Sequence, residues 1–151
     1  AIAKGIGGGF PLGGLLLKEK VGKALKAGSH GTTFGGNPLA TAVGNSVLDV
    51  MLADGFLDNV ANQGKKLKAS LETLQNKYPA IIEEIRGVGL ILGIKIKEPF
   101  KNDDIKNGLL ANKLIVNTAG DNVVRVLPPL IIEDKHIEEA IDIIDKTLKA
   151  I

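Results

Sequence analysis

Apolar and polar positions change period along this chain, and the change marks its elements. Leu57, Val60, Ala61, Gly64, Leu67, Leu71 and Leu74 recur every three or four residues, which predicts an amphipathic helix ending before Pro79. "AIIEEIRG" and "VGLILGIKIK" follow, β-branched and aliphatic, the second partly alternating, and predict two strands over 80–97. "NDDIKNGLLANK" (102–113) returns to helical spacing, with Asn102 as the expected cap and acids in the first turn. "LIVNTA" and "NVVRVLPP" predict two more strands, joined by "GDN", a tripeptide suited to a tight turn with positive φ. A last helix over 133–150 places Ile137, Ala140, Ile141, Ile144 and Leu148 on one face. The order helix, two strands, helix, two strands, helix predicts a small α/β sandwich with its helices on one face of a mainly antiparallel sheet.

Before Leu57 the pattern is less regular. "LGGLLLKEKV" predicts a strand at 12–17 and a short helix through about Leu25. "KAGSHGTTFGGNP" (26–38) is a long loop, and Asn37-Pro38 is a helix start, with Asn as cap and Pro in the first turn. That helix is expected to run to about Ala53, where "ADG" stops it. Residues 1–53 resemble the last strand and loops of a larger domain, and 54–151 a second, smaller one.

Composition narrows the chemistry. Hydrophobic residues are 44% of the chain and aromatic ones 3%, so the core is aliphatic. The absence of cysteine removes disulfides and thiolate metal sites, and the two histidines, His30 and His136, are too far apart in sequence to suggest a metal centre. The net charge is +2, with no basic stripe interleaved with aromatics, so no nucleic-acid partner is expected. No apolar run approaches the ~18 residues of a membrane helix and no leader pattern is present, so a soluble, cytoplasmic protein is expected.

Three stretches carry candidate chemistry. "AKGIGGGFPLGG" sets Lys4 directly before glycines. A phosphate-binding P-loop needs the lysine after the glycines and a Ser or Thr behind it, and a dinucleotide fingerprint needs a glycine where Phe10 stands. What remains is a nucleophilic lysine, with glycines that let a ring approach the backbone, or an ordinary exposed one. "HGTTFGGNP" offers the hydroxyls of Thr32 and Thr33 before a helix N-terminus, suited to a phosphate or carboxylate, or simply a structural loop. Arg86 and Arg125 are the only arginines, and both lie in strand-like apolar runs. Each needs an anion, either a structural carboxylate or a substrate.

Taken together, "AKGIGGGFPLGG", "GSHGTTFGGNPLA", "IRGVGLILGIKI" and "DNVVRVLPPLII" resemble, in this order and spacing, the class III pyridoxal-phosphate aminotransferases, nearest the acetylornithine and ornithine group. The resemblance covers essentially the whole chain. It implies the C-terminal part of a fold-type-I pyridoxal-phosphate transferase: the tail of the large cofactor domain and the whole small C-terminal α/β domain. By position, Lys4 matches the lysine that forms the Schiff base with pyridoxal 5'-phosphate and moves a proton during transamination. Thr33 matches a residue that hydrogen-bonds the cofactor phosphate across a homodimer interface, and Thr32 a neighbour close to the substrate. Arg125 matches the arginine that binds a substrate carboxylate, and Arg86 a structural position. The implied reaction moves the terminal amino group of N-acetylornithine or ornithine to 2-oxoglutarate.

The chain departs from the family in what it does not contain. Nothing matches the upstream phosphate loop, the aromatic that stacks on the pyridine ring, or the aspartate that protonates its nitrogen. A fragment that is not competent on its own is therefore expected, with residues 1–50 poorly supported. The rival expectation is a non-catalytic α/β module that folds alone and binds a partner or small ligand.

Overall fold

The clearest hydrophobic periods form elements where they are expected, and the loop-rich start does not. The computed structural model describes residues 1–151 and divides into two units, Ala1–Phe56 and Leu57–Ile151.

In the first unit a 3₁₀ turn, Lys4–Gly7, precedes helix α1 (Glu19–Gly22) and helix α2 (Pro38–Met51). The Asn37 side chain accepts from the Ala40 N–H at 2.9 Å, and Pro38 opens the helix, as the Asn-Pro pair predicts. The strand expected at 12–17 does not form. Its only ladder contact is a bridge between Ile2 and Gly14, with N–H···O distances of 2.8 and 2.9 Å. A strand needs a neighbour to satisfy its peptide groups, and Leu15, Leu16 and Leu17 remain exposed. The glycine-rich start instead packs on α2, where a Cβ on Gly44 would come within 2.7 Å of Leu12. In this unit only Gly7, Ala40 and Gly44 are buried.

The second unit is built on a four-stranded antiparallel sheet. Helix α3 (Phe56–Lys77) leads into β1 (Ile82–Val88) and β2 (Ile91–Ile96). Helix α4 (Asn102–Ala111), β3 (Asn117–Ala119), β4 (Val123–Val126) and helix α5 (Asp134–Lys149) follow. The strand order is β1-β2-β4-β3. Leu67, Leu71 and Leu74 of α3, Ile105 and Leu109 of α4, and Ile137, Ile144 and Leu148 of α5 join Leu92, Ile94, Val124 and Val126 in one core. Lys77 and Tyr78 both bond Asp145, at 2.6 and 2.9 Å, and Lys66 pairs with Asp134 at 2.7 Å, tying α3 to α5 beside that core.

Two local expectations are corrected. Asn102 is not the cap of α4 but lies inside it; Lys101 holds the cap position without a side-chain bond. The free Asn102 N–H is taken by the Asn122 Oδ1 at 2.8 Å, so a side chain distant in sequence replaces the local cap. The strand expected over 114–119 shrinks to Asn117–Ala119, because the Leu114 N–H turns back to the Leu109 carbonyl (2.9 Å) to close α4. The "GDN" turn does adopt the left-handed region, with φ of 64° at Asp121 and 54° at Asn122. No helix is long and apolar enough to cross a membrane.

Candidate functional site

Lys4, Thr32 and Thr33 lie in the first unit, Arg86 and Arg125 in the second. Lys4 opens the 3₁₀ turn with φ of 57°. Of the other non-glycine residues with positive φ, Asp121 and Asn122 form a tight turn and Lys113 follows the end of α4. Both settings accommodate left-handed backbone routinely. Lys4 has no such setting, and a left-handed conformation in a long side chain costs about 1 kcal/mol or more. Its side chain is exposed and lies in none of the ion pairs. The turn behind it rests on α2, since a Cβ on Gly8 would meet Val47 at 2.8 Å.

Helix α2 also fixes the threonine loop, which runs into its N-terminus. The Asn37 side chain donates to the Phe34 carbonyl at 2.6 Å while capping the helix, holding the segment just after Thr33. The chain's other threonine hydroxyls are occupied: Thr41, Thr73 and Thr147 bond carbonyls of their own helices, and Thr118 faces Asp103. Thr32 and Thr33 make no such bond and are exposed, which leaves both hydroxyls free to meet a ligand's oxygen atoms. No hydrogen bond joins Lys4 to either threonine.

The two arginines occupy one transverse row of the sheet, Arg86↔Gly93↔Arg125↔Asn117, on the face opposite Val124 and Val126. They differ in what they meet. Arg86 donates to Asp121 at 3.1 Å and lies 4.0 Å from Glu84. Arg125 is exposed and has no ion-pair partner. Sequence reasoning left the two open between structural carboxylate and substrate, and the structure supplies a carboxylate to only one. It also brings in a residue the sequence read only as part of a turn. Asp121 accepts from Lys95 as well as Arg86, and these bonds, Lys95 first, hold its carboxyl below the usual range. An aspartate in a positive-φ turn one strand away from an arginine was the available signal.

A cavity of about 510 Å³ in the second unit lies elsewhere, lined by Leu67, Val126, Pro128, Ile132, Ile137 and Ile144. Its two polar residues stand at the start of α5, where His136 accepts the Glu133 N–H at 3.0 Å and the Glu133 carboxylate pairs with Lys135 at 2.8 Å.

The family model for Aminotransferase class-III matches residues 1–148. The chain belongs to that family. Its members are pyridoxal-phosphate enzymes. The chain is 49% identical over 142 residues to the acetylornithine aminotransferase of Mesorhizobium japonicum, covering 94% of itself and 35% of that relative. Among solved structures, the ornithine delta-aminotransferase of Plasmodium falciparum superposes with a TM-score of 0.86 at 32% identity, over 98% of this chain and 38% of that one. The acetylornithine aminotransferase of Elizabethkingia anophelis gives 0.85 at 30%, over 99% and 40%. The class-III chain thus spans about 35% of the length of the curated relatives it matches. Its α/β architecture with an antiparallel sheet is that of a C-terminal portion of the pyridoxal-phosphate aminotransferase fold.

Proposed function

We propose that this chain supplies the lysine, a phosphate contact and the carboxylate-binding arginine of an aminotransferase acting on the terminal amine of N-acetylornithine or ornithine, with 2-oxoglutarate as acceptor. The observation that carries the reading is Lys4, an exposed lysine in a left-handed backbone at the start of a glycine turn, where nothing local requires that conformation. Such outliers gather at functional sites. The names of relatives matched along nearly the whole chain point to the same donor class.

The residues fit the cofactor at both ends of its chemistry. The primary amine of Lys4 suits its aldehyde, and the free hydroxyl of Thr33, beside the amides leading into α2, suits its phosphate. Bound pyridoxal phosphate supplies an electron sink for the carbon that loses its proton. Lys4 Nζ holds the cofactor and then carries a proton to and from the reacting carbon. Thr33 Oγ1 donates to a phosphate oxygen and fixes the cofactor's tail, with Thr33 acting in the site of a second subunit of a homodimer. Thr32 stands beside the substrate. Arg125 offers two parallel N–H donors to a carboxylate of the acceptor, setting its orientation. We assign 1–53 to the tail of the cofactor domain and 54–151 to the small C-terminal domain. The 151 residues alone lack the ring-nitrogen acid and are inactive.

The test uses the complete polypeptide as the gene encodes it. It is incubated with pyridoxal phosphate, reduced with borohydride, and the modified lysine is located by mass spectrometry. Modification at Lys4, together with amino transfer from N-acetylornithine or ornithine to 2-oxoglutarate, is expected. Label spread over other lysines with Lys4 unmodified overturns the reading.

A further inference from the structure

The turn that joins Thr33 to α2 is held by a side chain that does more than cap a helix. Residues 34–37 close on the Phe34 carbonyl, which takes the Asn37 main-chain N–H at 3.3 Å and the Asn37 Nδ2 at 2.6 Å. Gly36, third in that turn, has φ of 71°, a conformation glycine adopts without strain. Gly35 is glycine for a different reason. A Cβ there would collide with Thr32 Cγ2, so the Thr32 methyl fills the space a side chain at 35 would need. The turn is thus packed against one threonine and tethered directly behind the other.

Helix capping alone does not call for asparagine. An N-cap needs one acceptor, and serine, threonine and aspartate supply it as well. Asn37 uses Oδ1 for that purpose, accepting the Ala40 N–H at 2.9 Å. Its Nδ2 then reaches back to the Phe34 carbonyl, and because one partner is a donor and the other an acceptor, the amide can stand only one way round. The carboxamide is planar, so the two bonds fix the Phe34 carbonyl relative to the first turn of α2. Thr33 stands one residue before that carbonyl, and its Oγ1 inherits the position. Placement matters to a hydroxyl donor, because an O–H···O bond holds over about 2.5–3.0 Å and a shift of about 1 Å removes it.

We propose that Asn37 is a positioning residue for the cofactor phosphate: by tying the Phe34 carbonyl to the N-terminus of α2 it holds Thr33 Oγ1 where a phosphate oxygen can accept from it. This rests on the assignment of Thr33 to the phosphate. Asn37 acts through Thr33 and does not itself touch the cofactor.

The test uses the complete polypeptide, freed of cofactor, with pyridoxal 5'-phosphate and pyridoxal as probes and dissociation constants read from the absorbance of the bound ring. Asn37→Ser keeps an acceptor for the cap but is too short to reach the Phe34 carbonyl as well. It is expected to weaken pyridoxal 5'-phosphate by about fivefold or more, to leave pyridoxal within about twofold of the parent, and to leave the melting temperature of the cofactor-free protein unchanged. Thr33→Val removes the hydroxyl, so adding Asn37→Ser to it is expected to cost no more than about twofold further. Unchanged affinity for pyridoxal 5'-phosphate in Asn37→Ser overturns the proposal. Equal weakening of both probes also overturns it, since the phosphate is then not what was lost, and so does full additivity with Thr33→Val. The two levels separate at Thr33→Val alone. Unchanged affinity there refutes the assignment of Thr33; weakened affinity there with Asn37→Ser unchanged refutes the role of Asn37 only. If Asn37→Ser does not fold, Asn37→Asp keeps the cap and replaces the donor with an acceptor. Its effect on pyridoxal 5'-phosphate is expected to shrink by about fivefold or more in the Thr33→Val background. An effect that persists undiminished there is that of the added charge alone and overturns the proposal.

Discussion

Arg125 and Arg86 show how little of a residue's role is set by its own chemistry. Both guanidiniums stand in the same row of one sheet, yet one meets Asp121 and the other meets nothing charged. A planar fork binds a carboxylate through two parallel bonds, which a lysine ammonium cannot reproduce. In the complete enzyme Arg125→Lys is expected to raise KM for 2-oxoglutarate on the order of tenfold, about 1.5 kcal/mol, by removing that geometry. Steady-state kinetics with the acceptor varied check this, and an unchanged KM removes Arg125 from the site. Asn122 is a second residue with an outsized task, combining positive φ with three hydrogen bonds to β2, Phe100 and α4. Asn122→Ala is expected to lower stability by roughly 2–4 kcal/mol, from lost bonds and left-handed strain together. Urea denaturation followed by circular dichroism measures it. None of this was legible in "GDN" beyond the turn itself, because the bonds of Asn122 go to residues 20 to 26 positions away.

Elements formed from sequence wherever burial and period agreed. The stripe Leu67, Leu71 and Leu74 was readable because each faces the core of α3, and the Asn37-Pro38 start because its cap is local. The strand at 12–17 was misread because an apolar run satisfies a strand only when another strand lies beside it. The cap of α4 was misassigned for a related reason: its acceptor comes from Asn122, across the sheet. Close packing between elements is equally invisible in the sequence. A Cβ on Gly64 of α3 would lie 2.7 Å from the Gly89 backbone, in the turn between β1 and β2. Gly64→Ala is therefore expected to destabilise the second unit by about 1–3 kcal/mol although alanine favours helices, since backbone cannot swing aside as a side chain can. Thermal unfolding reads the sign, and a stabilised variant would contradict the close approach of α3 to this turn.

At the scale of the whole molecule, the two units differ in what can hold them. Every member of the aliphatic core lies between Leu67 and Leu148, whereas the first unit buries only Gly7, Ala40 and Gly44 and leaves Leu15, Leu16, Phe34, Leu39 and Leu52 exposed. Residues 57–151 expressed alone are expected to unfold cooperatively in urea, and residues 1–56 to show no transition; a cooperative transition in the short piece would contradict this. Charge adds a pH dependence. Asp103, Asp121, Glu133, Asp134 and Asp145 are all held below their ordinary values, chiefly by hydrogen bonds from lysines. Depressed folded values mean that this stability is present above the unfolded values of 3.8 to 4.5 and is lost as pH falls through the folded ones. Lys77 is shifted up by its bond to Asp145, so its contribution is present below 10.5 and is lost as pH rises through the raised value. Melting temperatures across pH 2 to 12 are expected to fall at both ends, and a flat acid limb would show these pairs to contribute nothing. The sequence by itself determined the family, the residue types available for chemistry and the helices and strands whose burial is periodic, since these depend on local order alone. Only the tertiary structure decided which arginine is paired, which side chain caps α4 and which apolar run becomes a strand, because each is settled by a partner distant in sequence.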